Sequence, residues 1–265
     1  MTDLDHLLLT RFYVRIKSGA QLPSEQWLKE RIDSFEHVCL PSVRAQTSLD
    51  FRWLLFIDAE SPVWVTEYLA SVIPPNAEVV VCEGVCDGSL ISDAVSRRTH
   101  RSKVITSRVD SDDALHPAFI ETVADRLREE TGVFLNFPDG LQLSRGRLLS
   151  YSHPSNPFIS LVEPTGPNLM TVFVDWHDRL GRHGPIVQQR GYRAWVQNCH
   201  GANVRNQERG IRVWAPRDKF GYEMLALRRQ NLAEYFLDLT STTVRAMVSV
   251  LRRPARLRRL IQRRV

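Results

Sequence analysis

What most restricts this chain is a pattern repeated along its first 140 positions: apolar runs of strand length alternate with segments of helix length. HLLLTRFYV (6–14), FRWLLFID (51–58), AEVVVCEG (77–84), SKVITSR (102–108) and GVFLNF (132–137) read as strands. Between the first two, WLKERIDSFEHVCL follows a candidate N-cap, Ser24, and places Trp27, Leu28, Ile32, Phe35, Val38 and Cys39 at helical spacing. Pro41 should bend or end that helix. SPVWVTEYLASVI (61–73, with Pro62 near its first turn), SDAVSRRTHR (92–101) and HPAFIETVADRLREE (116–130) supply three further helices. Strands that alternate with helices imply a mostly parallel sheet with helices on both faces, so the expected class is a doubly wound α/β fold.

Composition removes several alternatives. With 265 residues and 43% hydrophobic content the chain can bury a substantial core, which excludes disorder as the whole answer. Cys39, Cys82, Cys86 and Cys199 form no CxxC pair and have no accompanying His spacing, which suits reduced thiols better than a disulfide framework or a zinc site. The first residues are acidic where a signal peptide is basic, and no run approaches the roughly 20 apolar residues of a membrane span. The expected location is cytoplasmic. Net charge is +5, yet the last 14 residues, RRPARLRRLIQRRV, hold seven arginines and no acid, leaving 28 basic against 30 acidic side chains elsewhere. A near-neutral body with a basic tail points to an attached targeting segment, not to a nucleic-acid-binding body.

No GxGxxG follows the first strand and no GxxxxGK[ST] occurs, so neither dinucleotide nor Walker-type phosphate cradling is indicated. The chemistry-bearing stretch is SRVDSDDALH (107–116). It sets Asp110, Asp112 and Asp113 directly after the fourth strand, where open α/β sheets gather their ligands. Carboxylates so close disfavour a common ionised state unless water or a cation screens them. An EF-hand register starting at Asp110 fails, because Ala114 stands at position 5 and Leu115 at the position that needs Gly. Capping of the helix near His116 accounts for one of the acids and leaves two unexplained.

The blocks HLLLTRF, CLPSVRAQT, FRWLLFID, VITSRVDSDDALH, FLNFPDG and AWVQNCHGANV, in this order over residues 6 to 205, resemble the rhamnosyltransferase family of bacterial proteins. That family is similar to GT-A glycosyltransferases, whose Asp-x-Asp motif holds a divalent cation on the donor's diphosphate. The resemblance implies Asp110 and Asp112 as that motif, extended by Asp113, with Mn²⁺ or Mg²⁺ as cofactor. It also implies a nucleotide-sugar site near Thr10, Arg11 and Asp58, with Arg97, Arg98 or Arg108 on the diphosphate. Asp58 has an ordinary strand-end turn as its rival role, and each arginine a solvated charge. The cation would neutralise a leaving diphosphate, and hard oxygen ligands suit either metal.

Residues 141 to 230 lose the alternation and gain Pro, Gly, His and Trp, so they read as an irregular acceptor-side half continuous with 1–140 in one GT-A-like domain. The resemblance makes His200 a candidate third metal ligand, with a structural histidine as the alternative. Inverting transfer needs a base for the acceptor hydroxyl; Glu163, Asp175 and Asp178 are the candidate carboxylates, and His177 is a weaker one. Residues 231–265 interleave Leu, Val, Met and Ile with arginines and read as an amphipathic tail broken at Pro254, suited to an anionic membrane surface at the inner face of the cell membrane. Disorder and a nucleic-acid contact are its rivals. Two functions follow: a metal-dependent glycosyltransferase acting on a polysaccharide, lipid-linked or protein acceptor, or a non-catalytic α/β binding protein associated with RNA or membrane through its tail.

Overall fold

LDHLLLTRFY forms the strand β1 (Leu4–Tyr13), and its period of two divides the interior into two layers. Leu8 and Phe12 face one core, and Leu7 and Leu9 the other. The structure, a computed structural model, describes residues 3–199, 208–214, 222, 225–228 and 231–251.

After β1, Ser24 caps α1 (Glu25–Ser34) by accepting the Trp27 N–H at 3.2 Å. Of the two outcomes expected at Pro41, a bend or an end, the helix does not end there. A π-helical turn over Phe35–Cys39 leads into α2 (Leu40–Arg44), and the Leu40 N–H reaches back five residues to the Phe35 carbonyl. The widened ladder lies just ahead of Pro41. β2 (Arg52–Asp58), α3 (Val63–Val72) and β3 (Ala77–Cys82) follow the predicted pattern. α4 (Gly88–Ser96) begins four residues before the predicted start, because Asp87 accepts the Leu90 N–H as its N-cap. β4 (Lys103–Arg108), the two-residue β5 (Ala114–Leu115), α5 (Phe119–Leu127) and β6 (Val133–Asn136) complete the first half.

The second half is richer in strands than its composition suggests: β7 (Asp139–Ser144), β8 (Arg147–Ser152), β9 (Ile159–Pro164), β10 (Ile186–Gln188), β11 (Trp195–Asn198) and β12 (Ile211–Arg212) precede the 20-residue helix α6 (Leu232–Leu251). The main sheet has the order β10-β6-β9-β4-β1-β2-β3 and is parallel except for β9, which runs antiparallel between β4 and β6. The α/β class with a mostly parallel, doubly wound sheet is therefore correct, and the two sequence halves share one sheet. α1, α3 and α5 cover one face through Leu28, Val65, Leu69, Phe119 and Val123; α4 covers the other through Ile91, Ala94 and Val95.

A smaller sheet has the order β12-β8-β7-β11-β5. Trp195 on β11 stacks on Phe158 at 4.8 Å and donates Nε1–H to the Phe137 carbonyl at 2.7 Å. A Cβ at Gly140 would stand 2.3 Å from this indole, so the position admits glycine alone. Because β4 belongs to the main sheet and β5 to the small one, the acidic stretch 109–113 is the crossing between them.

Candidate functional site

Parallel strands β1, β2 and β4 end on the same side of the main sheet, and their register puts Leu9 opposite Arg108 and Arg11 opposite Phe56. Side chains just beyond these ends converge. Arg108 donates to Asp110 through Nε at 3.1 Å and Nη2 at 3.0 Å. Asp112, almost fully buried, pairs with Arg31 of α1 at 2.5 Å. Asp113, 2% exposed, accepts the Asn198 N–H from β11 at 2.8 Å. None of the three acids caps α5, whose N-cap is Ala118 without a side-chain bond.

The charges show how closely the acids sit. Burial, then Asp112 and Asp110, raise the Asp113 carboxyl well above the ordinary carboxylate range. Asp110 moves the other way: burial pushes it up, but the charge and hydrogen bonds of Arg108, with help from Arg31 and His177, hold it below the usual value. Of the two acid–arginine pairs in this cluster, Asp110 keeps about a third of its side chain open to solvent, against 6% for Asp112.

Among the described residues no group of three or more His, Cys, Asp and Glu side chains is placed so that it could hold a metal ion by itself. The oxygen-only donor set and the mutual repulsion that lifts Asp113 nevertheless fit a hard divalent ion. Two carboxylates, Asp110 and Asp112, suit an ion that arrives with its remaining oxygen ligands on the donor. His200, the expected third ligand, lies outside the described residues.

The other sequence candidates separate. Arg11 and Arg108 both stack on the Phe173 ring, with guanidinium carbons 4.2 and 4.9 Å from its centroid. Thr10 points to the opposite face, fully buried, where its Oγ1 accepts the Trp53 Nε1–H at 2.9 Å; it is core and not the edge of a base pocket. Asp58 is taken by Arg15 in a two-point contact at 2.8 Å each and also accepts the Glu60 N–H, the strand-end turn that rivalled a nucleotide role. Arg97 folds back on the Asp93 carbonyl and Arg98 pairs with Glu78, both at the far end of α4, on the side where β4 begins.

Glu163 also lies away from the cluster. It stands opposite Val104, near the start of β4, and accepts the Met170 and Thr171 N–H groups at 2.9 and 2.8 Å; burial raises its carboxyl. Asp175 accepts the Trp176 N–H at 2.7 Å, which with His183 holds it below the ordinary range. Asp178 is exposed. His177, by contrast, sits within electrostatic reach of Arg108 and Asp110. Its Nδ1 lies 2.5 Å from the Ser155 carbonyl, and since a carbonyl only accepts, Nδ1 carries the proton and Nε2 offers its lone pair. Phe173 and Arg31 were missed from sequence, because nothing local marks an aromatic or an arginine 60 to 80 positions away as a neighbour of the acids.

A cavity of about 230 Å³ lined by Leu4, His6, Asp50, Glu121 and Arg128 lies at the opposite end of β1, away from this cluster.

A profile of the family described as "Putative rhamnosyl transferase" matches residues 17–212, about three quarters of the chain. The chain belongs to this family. A search of curated proteins finds no match. Among solved structures, Staphylococcus aureus TarS is 12% identical over 75% of this chain and 37% of its own, with a TM-score of 0.43. Its 1–349 segment in complex with UDP is 13% identical over 75% and 61%, also at 0.43. HddC from Yersinia pseudotuberculosis is 11% identical over 70% and 89%, with a TM-score of 0.37. The chain thus spans between about a third and three fifths of the TarS chains it matches.

Proposed function

We propose that this family member transfers a sugar, rhamnose by the family description, from a nucleotide-sugar donor to a hydroxyl of a glycan, lipid-linked or protein acceptor, with inversion. The observation that carries the reading is the meeting of Arg11, Arg108 and the Asp110–Asp113 cluster at the carboxyl ends of β1 and β4, in a chain of this family.

Asp110 and Asp112 would hold Mg²⁺ or Mn²⁺ together with donor oxygens. When bound, the cation stabilises the charge that develops on the departing diphosphate. The chain's own residues do the rest. Arg108 holds Asp110 below the ordinary carboxylate range, Arg31 pairs with Asp112, and the β4–β5 crossing fixes both acids between the two sheets. The proton acceptor is His177, whose Nε2 is left available by the Ser155 contact and which stands beside the acid cluster. It replaces Glu163, which is occupied as a backbone anchor at the other end of β4.

The C-terminal helix supports a peripheral role at a membrane. Leu232, Phe236, Val244 and Met247 of α6 are each more than half exposed and lie on one side of the helix, while Thr242 on the other side packs against Arg212. The seven arginines that follow in sequence would add attraction to anionic lipid. No helix among the described residues is long and apolar enough to cross a membrane.

The test of the catalytic reading is a panel of UDP-, dTDP- and GDP-linked sugars with and without Mn²⁺ or Mg²⁺, read as release of the nucleoside diphosphate. One donor class should be turned over in the presence of cation, and Asp110→Asn should abolish it. Absence of turnover with every donor and candidate acceptor, in protein that is folded, would count against glycosyl transfer.

A further inference from the structure

His6 lies near the start of β1, 5% exposed, on the wall of the cavity at that end of the strand. Five strand residues separate it from Arg11, a span of about 17 Å that sets it apart from the acid cluster. Its Nε2 meets Ser107 Oγ at 2.8 Å, and Ser107 Oγ meets Ser160 Oγ at 2.6 Å, so one ring nitrogen belongs to a buried polar row across β1, β4 and β9. The other, Nδ1, has no hydrogen-bond partner among the described residues. A buried polar atom left in this way is costly, and a ligand that supplies the missing partner recovers the loss. Burial pushes the imidazole down to about 3, so the ring is neutral at physiological pH and does not attract an anion. The serine hydroxyls can turn. If Ser107 donates to His6 Nε2, Nδ1 carries the proton and donates; if Ser107 donates to Ser160, Nε2 carries the proton and Nδ1 accepts.

The other walls offer donors and acceptors together. α5 and its C-cap place Glu121, Asp125 and Arg128 at helical spacing along one side, and the segment before β2 adds Ser48 and Asp50. Glu121 accepts the Thr47 hydroxyl at 2.8 Å through Oε2 alone. Asp125 and Arg128 meet at 3.3 Å with about half of each side chain or more in solvent, a pair too weak to hold either group. The Asp50 N–H is held by Ser48 Oγ at 3.3 Å, while the Asp50 carboxylate has no partner among the described residues. Lys103, a further cation at this end of the sheet, is occupied by the Arg128 and Glu130 carbonyls at 3.0 and 3.4 Å.

This mixture selects the ligand. An anion would meet three carboxylates, and a simple cation would meet Arg128 and leave the neutral imidazole without a role. A ring of neutral hydroxyls suits every group: a hydroxyl donates to a carboxylate, accepts from Arg128 or Ser48, and takes either role at His6 Nδ1. About 230 Å³ has room for one such ring and is small for a nucleotide. We infer that this cavity is a binding site for a single neutral saccharide unit, remote from the acid cluster. The site goes beyond the glycosyl-transfer reading and does not rest on it, since it retains a glycan and makes or breaks no bond.

Ligand-observed NMR of the full chain, in EDTA and without nucleotide, tests the site with L-rhamnose, D-glucose, D-galactose and D-mannose, and with glycerol and putrescine as controls. At least one monosaccharide should bind in the millimolar range and shift the His6 imidazole nitrogen signals. Ala124→Phe puts a ring into the cavity and should weaken that sugar by about tenfold or more. Asp50→Ala, which removes one charged acceptor, should weaken it by about tenfold. Asp110→Asn, in the acid cluster, should leave it unchanged. If Ala124→Phe fails to fold, Asp50→Ala and Glu121→Ala, at exposed positions, carry the test. Absence of binding by every sugar to folded protein, or binding that leaves the His6 signals in place, would overturn the site. So would binding lost in Asp110→Asn and kept in the cavity variants, which would move the sugar to the acid cluster. Glycerol or putrescine bound as tightly as the best sugar would overturn the saccharide assignment.

Discussion

Replacing Arg31 by Met tests how the acid cluster is held together. Arg31 reaches from α1 to Asp112 at 2.5 Å, with side-chain exposures of 16% and 6%. Removing one partner of a buried pair leaves an uncompensated charge and costs about 3–5 kcal/mol; the partial exposure of Arg31 places this pair near about 3 kcal/mol. Met retains most of the packing of the arginine stem on Trp27, where the guanidinium carbon stands 4.5 Å from the ring, so the loss is chiefly electrostatic. For a chain of this size, about 3 kcal/mol corresponds to a fall of roughly 6–12 °C in Tm. Asp112→Asn alone, considered as relief of a crowded cluster, should hold or raise stability. Because it also strands Arg31, it should instead cost about 1–2 kcal/mol. The double variant removes both charges and should be less destabilised than Arg31→Met, giving a coupling of about 2 kcal/mol in a denaturation cycle. Mg²⁺ or Mn²⁺ should raise the Tm of Arg31→Met more than that of the parent, since Asp112 is then released to a cation. Strictly additive costs in the cycle would refute the pairing, and an equal response to cation in both proteins would refute its link to the metal site.

Asp113 has a folded-state pKa raised by burial and by Asp112 and Asp110, so its ionisation costs stability once pH exceeds the unfolded carboxylate value near about 4. Asp113→Asn, which keeps an oxygen for the Asn198 N–H, should therefore stabilise the protein at pH 7 and lose that advantage as pH falls to 4, measured by chemical denaturation at both values. His177→Gln should lower kcat by about a hundredfold or more with the Kd for UDP or dTDP unchanged; equal loss in both parameters would make it a binding residue. Deleting residues 252–265 removes seven positive charges and none of the residues placed at the acid cluster, so co-sedimentation with anionic vesicles should vanish while turnover of a soluble acceptor persists. Full-length protein that ignores such vesicles at low salt would remove the membrane role.

The sequence alone determined the elements and the position of the acids. The 2-residue and 3.6-residue periods are local, so β1, β2, β3, β4 and β6 fall within a few residues of their predicted runs, and Asp110 to Asp113 stand beyond a strand end because they follow VITSR directly. Even so, Asp87 started α4 four residues early, a reminder that a single cap moves a boundary. Tertiary structure decided everything that joins distant positions. β9 enters the main sheet antiparallel between β4 and β6, and β5 pairs with β11 some eighty residues away, neither of which any local pattern encodes. The same holds for side-chain roles. Thr10, Arg11 and Phe12 are neighbours in sequence, yet the pleat sends Thr10 to Trp53 and Arg11 to Phe173 on the opposite face. Glu163, an acid in an apolar run, reads as a candidate base until the chain brings two backbone N–H groups from residues 170 and 171 to it. A carboxylate's type is written in the sequence, but its charge state and its task depend on burial and on which cation or N–H arrives, and those partners are chosen by packing over long separations.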